Sequence, residues 1–178
     1  MGQDKAGLVI EGETLWRRQL ATLETAGASE ILISGRPDGP YAKSGYRIIQ
    51  DLDSDLGPMG GILSAFQSAR HPMVLVLGID LPRMSGEYLR SLLPKAPVVP
   101  RRGERFEPVA AIYSRRCLEV FSRRLSQRQL SLQSAVRELV QHGDLSAFEV
   151  AAEDSRLFDN LNTPEDLAYF VRSYGSGK

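Results

Sequence analysis

Three polar residues stand where a strand is expected to end. Ser34 closes Ile31-Leu32-Ile33, Asp51 follows Arg47-Ile48-Ile49, and Asp80 follows the apolar run from Met73 to Leu77. If these strands are parallel, all three side chains project from the carboxyl edge of one sheet, where open α/β folds hold their ligands. Each alone also reads as an ordinary loop-starting Asp or Ser; three at one edge favour a crevice. Asp80 is the sharpest of them. Pro82 has a fixed φ and drives Leu81 into an extended form, which holds the carboxylate at the strand tip. A carboxylate there suits Mg²⁺ when phosphates supply the other oxygens. The competing structural reading is a turn or cap aspartate for the next helix.

Weaker signals surround these three. Gly57-Pro58-Met59-Gly60-Gly61 precedes a helical pattern. Glycines there let a ligand approach the backbone, and free N–H groups favour anions, although many Gly-Pro pairs only make turns. Asn160 and Asn162, two positions apart in Asn160-Leu161-Asn162-Thr163-Pro164, would point to one side of an extended segment and offer both donors and acceptors. Capping explains Thr163 but leaves the two amides unaccounted for. Arg101-Arg102-Gly103-Glu104-Arg105 is either a solvated hairpin tip or an anion clamp. Lys5, near the terminus, reads by itself as a solvated lysine.

The elements that must position these residues alternate. Helical spacing is expected over 12–27, after Gly57, near 85–93, over 115–125 and over 131–141. Strands are expected at 31–33, 47–49, 73–77, 96–99, 106–113 and 147–150. A last helix should start at Thr163, with Pro164, Glu165 and Asp166 in its first turn. The unbroken apolarity of Met73 to Leu77 indicates a strand covered on both faces. The whole reads as one α/β domain over 1–178, with a mostly parallel sheet.

Composition narrows the function classes. The 178 residues are 42% hydrophobic and 25% charged, with 22 Lys plus Arg against 22 Asp plus Glu. Zero net charge counts against a dedicated nucleic-acid binder. The longest apolar run is far too short to cross a bilayer, and Met1-Gly2-Gln3-Asp4-Lys5 is not of signal-peptide type. The single cysteine, Cys117, makes no internal disulfide and fits a reducing cytoplasm. Two histidines and one cysteine leave almost no room for a His/Cys zinc site, and nothing around His71 or His142 suggests a Ser-His-Asp triad.

Taken together, these motifs resemble the molybdenum cofactor guanylyltransferases, within the wider group of α/β nucleotidyltransferases. The resemblance is carried by Met1 to Ala6, Ile31 to Ser34, Asp51, Gly57-Pro58-Met59-Gly60-Gly61-Ile62, Gly78-Ile79-Asp80-Leu81-Pro82, Arg105-Phe106-Glu107-Pro108 and Phe158 to Leu167. It implies a three-layer, Rossmann-like fold and a reaction that joins GMP from GTP to the terminal phosphate of molybdopterin, with release of pyrophosphate. It also implies roles: Lys5 at the GTP phosphates, Asp51 on the nucleotide, Gly60 and Gly61 lining the pocket, and Asp80 on Mg²⁺. Arg105, Asn160 and Asn162 would lie toward molybdopterin, and delivery proteins for the cofactor are possible partners. Ser34 stands where the family often has an asparagine; its hydroxyl can still donate or accept. The family pattern opens with a strand and a loop of the type Leu-Ala-Gly-Gly-x-Ser-x-Arg-Met-Gly, whereas this sequence begins at the Met-Gly. A late start is the expectation, and a missing strand would expose backbone groups and apolar surface.

The implied nucleophile is a phosphate, already anionic at neutral pH, so catalysis would consist of charge neutralisation and in-line positioning. Three rivals stay open: a nucleotidyltransferase using CTP or a sugar phosphate, a non-catalytic nucleotide- or partner-binding domain, and a receiver-type signalling domain. The last lacks its acidic pair after a first strand.

Overall fold

The computed structural model describes residues 5–50, 56–162 and 166. Asp51, Thr163, Pro164 and Glu165, and with them most of the expected last helix, lie outside these residues. After a 3-10 turn at Lys5–Gly7 comes a hairpin that the spacing does not announce. Strands β1 (Val9–Ile10) and β2 (Glu13–Thr14) pair antiparallel. Glu11 and Gly12 between them both take positive φ, the geometry of a tight two-residue hairpin turn. Helix α1 (Leu15–Ala26) follows and stops at Gly27, which adopts the left-handed conformation of a C-terminal cap.

Strands β3 (Leu32–Ser34) and β4 (Arg47–Ile49) run parallel as a two-stranded sheet. Helix α2 (Gly57–Ser68) carries Pro58 in its first turn, where a missing N–H costs nothing. Strand β5 (Met73–Leu77) then enters a larger sheet, and α3 (Gly86–Leu92) follows, capped by Ser85. Next come β6 (Val98–Arg102), β7 (Arg105–Phe106) and β8 (Ala110–Ser114). Helices α4 (Cys117–Ser126) and α5 (Leu132–His142) and strand β9 (Ser146–Glu149) follow, and then a 3-10 helix at Ala152–Phe158. Ser131 caps α5 as expected, accepting from the Ser134 N–H.

The larger sheet runs β5-β8-β6-β7, with β9 beside β6. Here the structure departs from a mostly parallel arrangement. Strands β5, β6 and β9 share one direction, but β8 lies antiparallel between β5 and β6, and β7 is antiparallel to β6. The cause is local. Residues 106–113 are not one strand, because Pro108 has no N–H for a ladder and the Glu107 N–H bonds back to the Pro100 carbonyl. The β6–β7 hairpin, turning at Gly103 with positive φ, reverses the chain before β8 slots in.

Two cores sandwich this sheet. Ala111, Tyr113 and Val99 pack against α2, α4 and α5 through Met59, Phe66, Phe121 and Leu139. Their strand neighbours Ala110, Ile112 and Val98 face the opposite way, against Ala26 of α1 and Leu89 and Leu92 of α3. In β5, Val74 and Val76 serve the first core and Leu75 and Leu77 the second. The apolar run thus reflects coverage on both faces. Cys117 is fully buried in the first core, and that burial pushes its thiol above the ordinary range.

Helix α3 crosses α1 closely at Gly86. A Cβ there would collide with the Thr25 side chain and lie 2.7 Å from the Thr22 carbonyl oxygen. Gly86→Ala is expected to lower stability by about 1–3 kcal/mol through overpacking and the thermal midpoint by roughly 2–10 °C. Gly7→Ala, where a Cβ meets nothing within 4 Å, serves as the neutral control. Calorimetry of the two variants checks this; equal midpoints would contradict it.

Candidate functional site

The small and large sheets do not pair with each other among the described residues. Between β3 and β5 lies a cavity of about 770 Å³. Trp16, Leu20, Leu23 and Ala26, which fall at helical spacing on α1, form part of its wall. Lys5, Ser34, Gly61 and Asp80 line it together. Four of the residues singled out from sequence, drawn from four separate segments, therefore meet at one cavity.

Asp80 owes its position to a backbone whose carbonyls are held from two sides. The Gln19 amide nitrogen, on α1, donates to the carbonyls of Gly78 and Leu81, both at 2.9 Å. The Leu161 N–H donates to the Asp80 carbonyl at 2.9 Å, and the Gly78 N–H to the Val109 carbonyl at 2.7 Å. Gly78 leaves room for the carboxylate: a Cβ there would lie 2.7 Å from Asp80 Oδ1 and 3.0 Å from Val109 Cγ2, so a side chain at 78 would push the Asp80 carboxylate aside. Among the described residues, no lysine, arginine or histidine forms an ion pair with the Asp80 carboxylate.

The bond from Leu161 to Asp80 also brings in the late segment. Asn162 Oδ1 accepts from Lys5 Nζ at 3.0 Å, and the Asn162 N–H donates to Asp166 Oδ2 at 2.8 Å. Lys5 is thus an oriented ammonium on the cavity wall and not a free-swinging terminal lysine. Asn160 Oδ1 is buried and has no hydrogen-bond partner among the described residues, so one acceptor beside the site is unsatisfied.

Other expected residues stand elsewhere. Gly60 is buried within α2 and is not part of the cavity wall, in contrast to Gly61. The basic cluster forms the β6–β7 hairpin, and two of its arginines are used internally. Arg101 pairs with Glu149 at 3.0 Å, and Arg102 pairs with the buried Glu107 at 2.6 Å. Arg105 lies 3.9 Å from Glu107 with its side chain 63% exposed; it does not line the cavity. Gln19 and Gly78 carry the loop, yet neither was singled out as a site residue. A polar residue on the inward stripe of an otherwise amphipathic helix was the only signal for Gln19.

Described groups of three or more His, Cys, Asp or Glu able to hold a metal do not occur. A single carboxylate with no ion pair among the described residues fits a hard cation that takes its remaining oxygens from phosphate and water, which is the habit of Mg²⁺.

Comparison with known proteins gives the family and the fold. Residues 1–144 match the family model described as the MobA-like NTP transferase domain. A molybdenum cofactor guanylyltransferase of Pseudomonas aeruginosa is 34% identical over 174 residues, 94% of this chain and 85% of the relative. One from Pseudomonas putida is 29% identical over 93% of this chain and 87% of its own length. Among solved structures, molybdopterin-guanine dinucleotide biosynthesis protein A from Archaeoglobus fulgidus superposes with a TM-score of 0.76 at 20% identity, covering 98% of this chain and 92% of that one. The 2-C-methyl-D-erythritol 4-phosphate cytidylyltransferase of Thermus thermophilus gives 0.71 at 20% identity, over 96% and 94%. With an α/β sandwich of matching shape and a family model that spans most of its length, the chain belongs to the MobA-like NTP transferases.

Proposed function

We propose that this chain, as one nucleotidyltransferase domain over residues 1–178, transfers GMP from GTP to the terminal phosphate of molybdopterin in the cytoplasm. The observation that carries the reading is the meeting of Lys5 and Asp80 at one cavity, each tied to the late segment, Lys5 through Asn162 and Asp80 through Leu161, in a chain whose relatives bear the name of that activity. The attacking phosphate oxygen forms a bond to the α-phosphorus of GTP as the bond to the β-phosphate bridge breaks, and pyrophosphate departs. The nucleophile is anionic, so no side chain needs to take a proton from it.

The difficulty is the approach of two anions, and the residues meet it by charge and position. Lys5, aimed by Asn162, offsets charge on the triphosphate. Asp80 holds Mg²⁺ jointly with the phosphate oxygens. Bound there, the ion neutralises charge on the triphosphate and on the departing pyrophosphate. Ser34 and Gly61 bound the nucleotide side, with Gly60 supporting Gly61 from within α2; Asp51 helps hold the nucleotide. Asn160, Asn162 and Arg105 face molybdopterin in this reading, and the buried unsatisfied Oδ1 of Asn160 supports a donor arriving from a ligand. The likeness to a cytidylyltransferase fold makes base choice the point to measure.

Turnover of GTP, CTP and ATP with a molybdopterin acceptor, followed by pyrophosphate release, tests the reading. GTP should be preferred; transfer from CTP alone would overturn the guanylyl assignment. Asp80→Ala should lower transfer by about 10²-fold or more while leaving the circular dichroism spectrum unchanged. Full activity with Mg²⁺ still required would remove Asp80 from the metal. Gly78→Ala should displace the Asp80 carboxylate and lower kcat by about tenfold in a folded protein; wild-type kcat would show that the carboxylate tolerates the shift.

A further inference from the structure

We infer that Gln19 is a positioning residue for the metal-binding loop: its amide fixes the backbone on either side of Asp80 and so aims the carboxylate. The inference rests on the nucleotidyl-transfer reading above. Gln19 sits on the inward stripe of α1 between Leu15 and Ala26 and is 7% exposed. An apolar residue would serve that stripe without burying an amide. A buried amide is tolerated only when its N–H groups find acceptors. Both donors are spent on the loop, bonding carbonyls 59 and 62 positions away in sequence.

The geometry makes this a clamp. Gly78 has no side chain to anchor it, and a Cβ there would press on Asp80 Oδ1. The Gly78 N–H is held by the Val109 carbonyl, but the carbonyls that flank Asp80 need donors of their own. Gln19 fixes the carbonyl two residues before Asp80 and the one immediately after it, and Leu161 fixes the carbonyl of Asp80 itself. What remains to Asp80 is rotation of its own side chain. Gln19 does not line the cavity, so its effect on a ligand must pass through the loop. The same α1 that walls the cavity with Trp16 and Leu20 thereby sets the carboxylate on its rim.

Gln19→Met keeps length and removes both donors. Mg²⁺ titrations at saturating GTP should show the half-saturating Mg²⁺ concentration raised by about tenfold, as expected for losing two modest hydrogen bonds, with KM for GTP at saturating Mg²⁺ little changed. Amide exchange of the ligand-free protein gives a readout independent of activity. The Gly78 and Met84 N–H groups, bonded to the Val109 and Leu81 carbonyls, should exchange about tenfold faster by the same loss, while that of Leu139 in α5 keeps its rate. A wild-type Mg²⁺ requirement, or exchange at Gly78 and Met84 that is unchanged or merely keeps pace with Leu139, overturns the inference. If Gln19→Met does not fold, Gln19→Glu, similar in size but an acceptor facing two carbonyls, is read by the same two measurements. A fully active, Mg²⁺-dependent Asp80→Ala would sink the metal assignment instead, and exchange would still decide whether Gln19 holds the loop.

Discussion

The hydrogen bonds to the carbonyls of Gly78, Asp80 and Leu81 are the constraint on which the site depends. A strand that ends in a glycine would ordinarily open into a mobile loop. Here three of the loop's carbonyls are claimed, by a helix that precedes the strand and by a segment that follows it by some eighty positions. The donors are tied to other structure in turn. Gln19 lies on a helix whose Ala26 belongs to the second core, and Leu161 packs with Ile10 and Leu15. The carboxylate is thus referenced to the body of the molecule and not to its own loop.

The same bonds explain why distant residues meet. Because Leu161 is fastened to Asp80, its neighbour Asn162 reaches Lys5, and an ammonium and a carboxylate face one cavity without pairing with each other. Opposite charges left apart at a concave surface favour a ligand that needs both, such as a metal-bound polyphosphate. The arrangement asks little of proton chemistry, consistent with a nucleophile that is already charged.

Much of this was legible in the sequence. The unbroken apolar run of Met73 to Leu77 identified a strand covered on both faces, and Ser131 and Gly27 marked helix ends that the structure shows. Ser34 and Asp80 fell at one cavity because strand ends are where α/β sheets open. Strand direction was not legible. Apolarity counts faces and not polarity of the chain, so the reversal of β8 was hidden, although Pro108 inside an expected strand was a cue. Gln19 was hidden for a related reason: periodicity places a residue on a face but does not name its partners, and hydrogen bonds spanning some sixty positions leave no local trace. The arginines of the β6–β7 hairpin look alike in sequence. Glu149 holds Arg101, and the buried Glu107 holds Arg102 closely and the more exposed Arg105 only at 3.9 Å, differences that the run itself does not show. Asp51 and the end of the chain beyond Asn162, Asp166 apart, remain readings of sequence.

Relaxation of backbone amide signals by Mn²⁺, used in place of Mg²⁺ together with GTP, tests the central claim most directly. The account predicts that the amides of Lys5, Gly61, Asp80 and Asn162 broaden together, while those of α5 stay sharp. Broadening centred elsewhere, with Asp80 and Lys5 untouched, would contradict it.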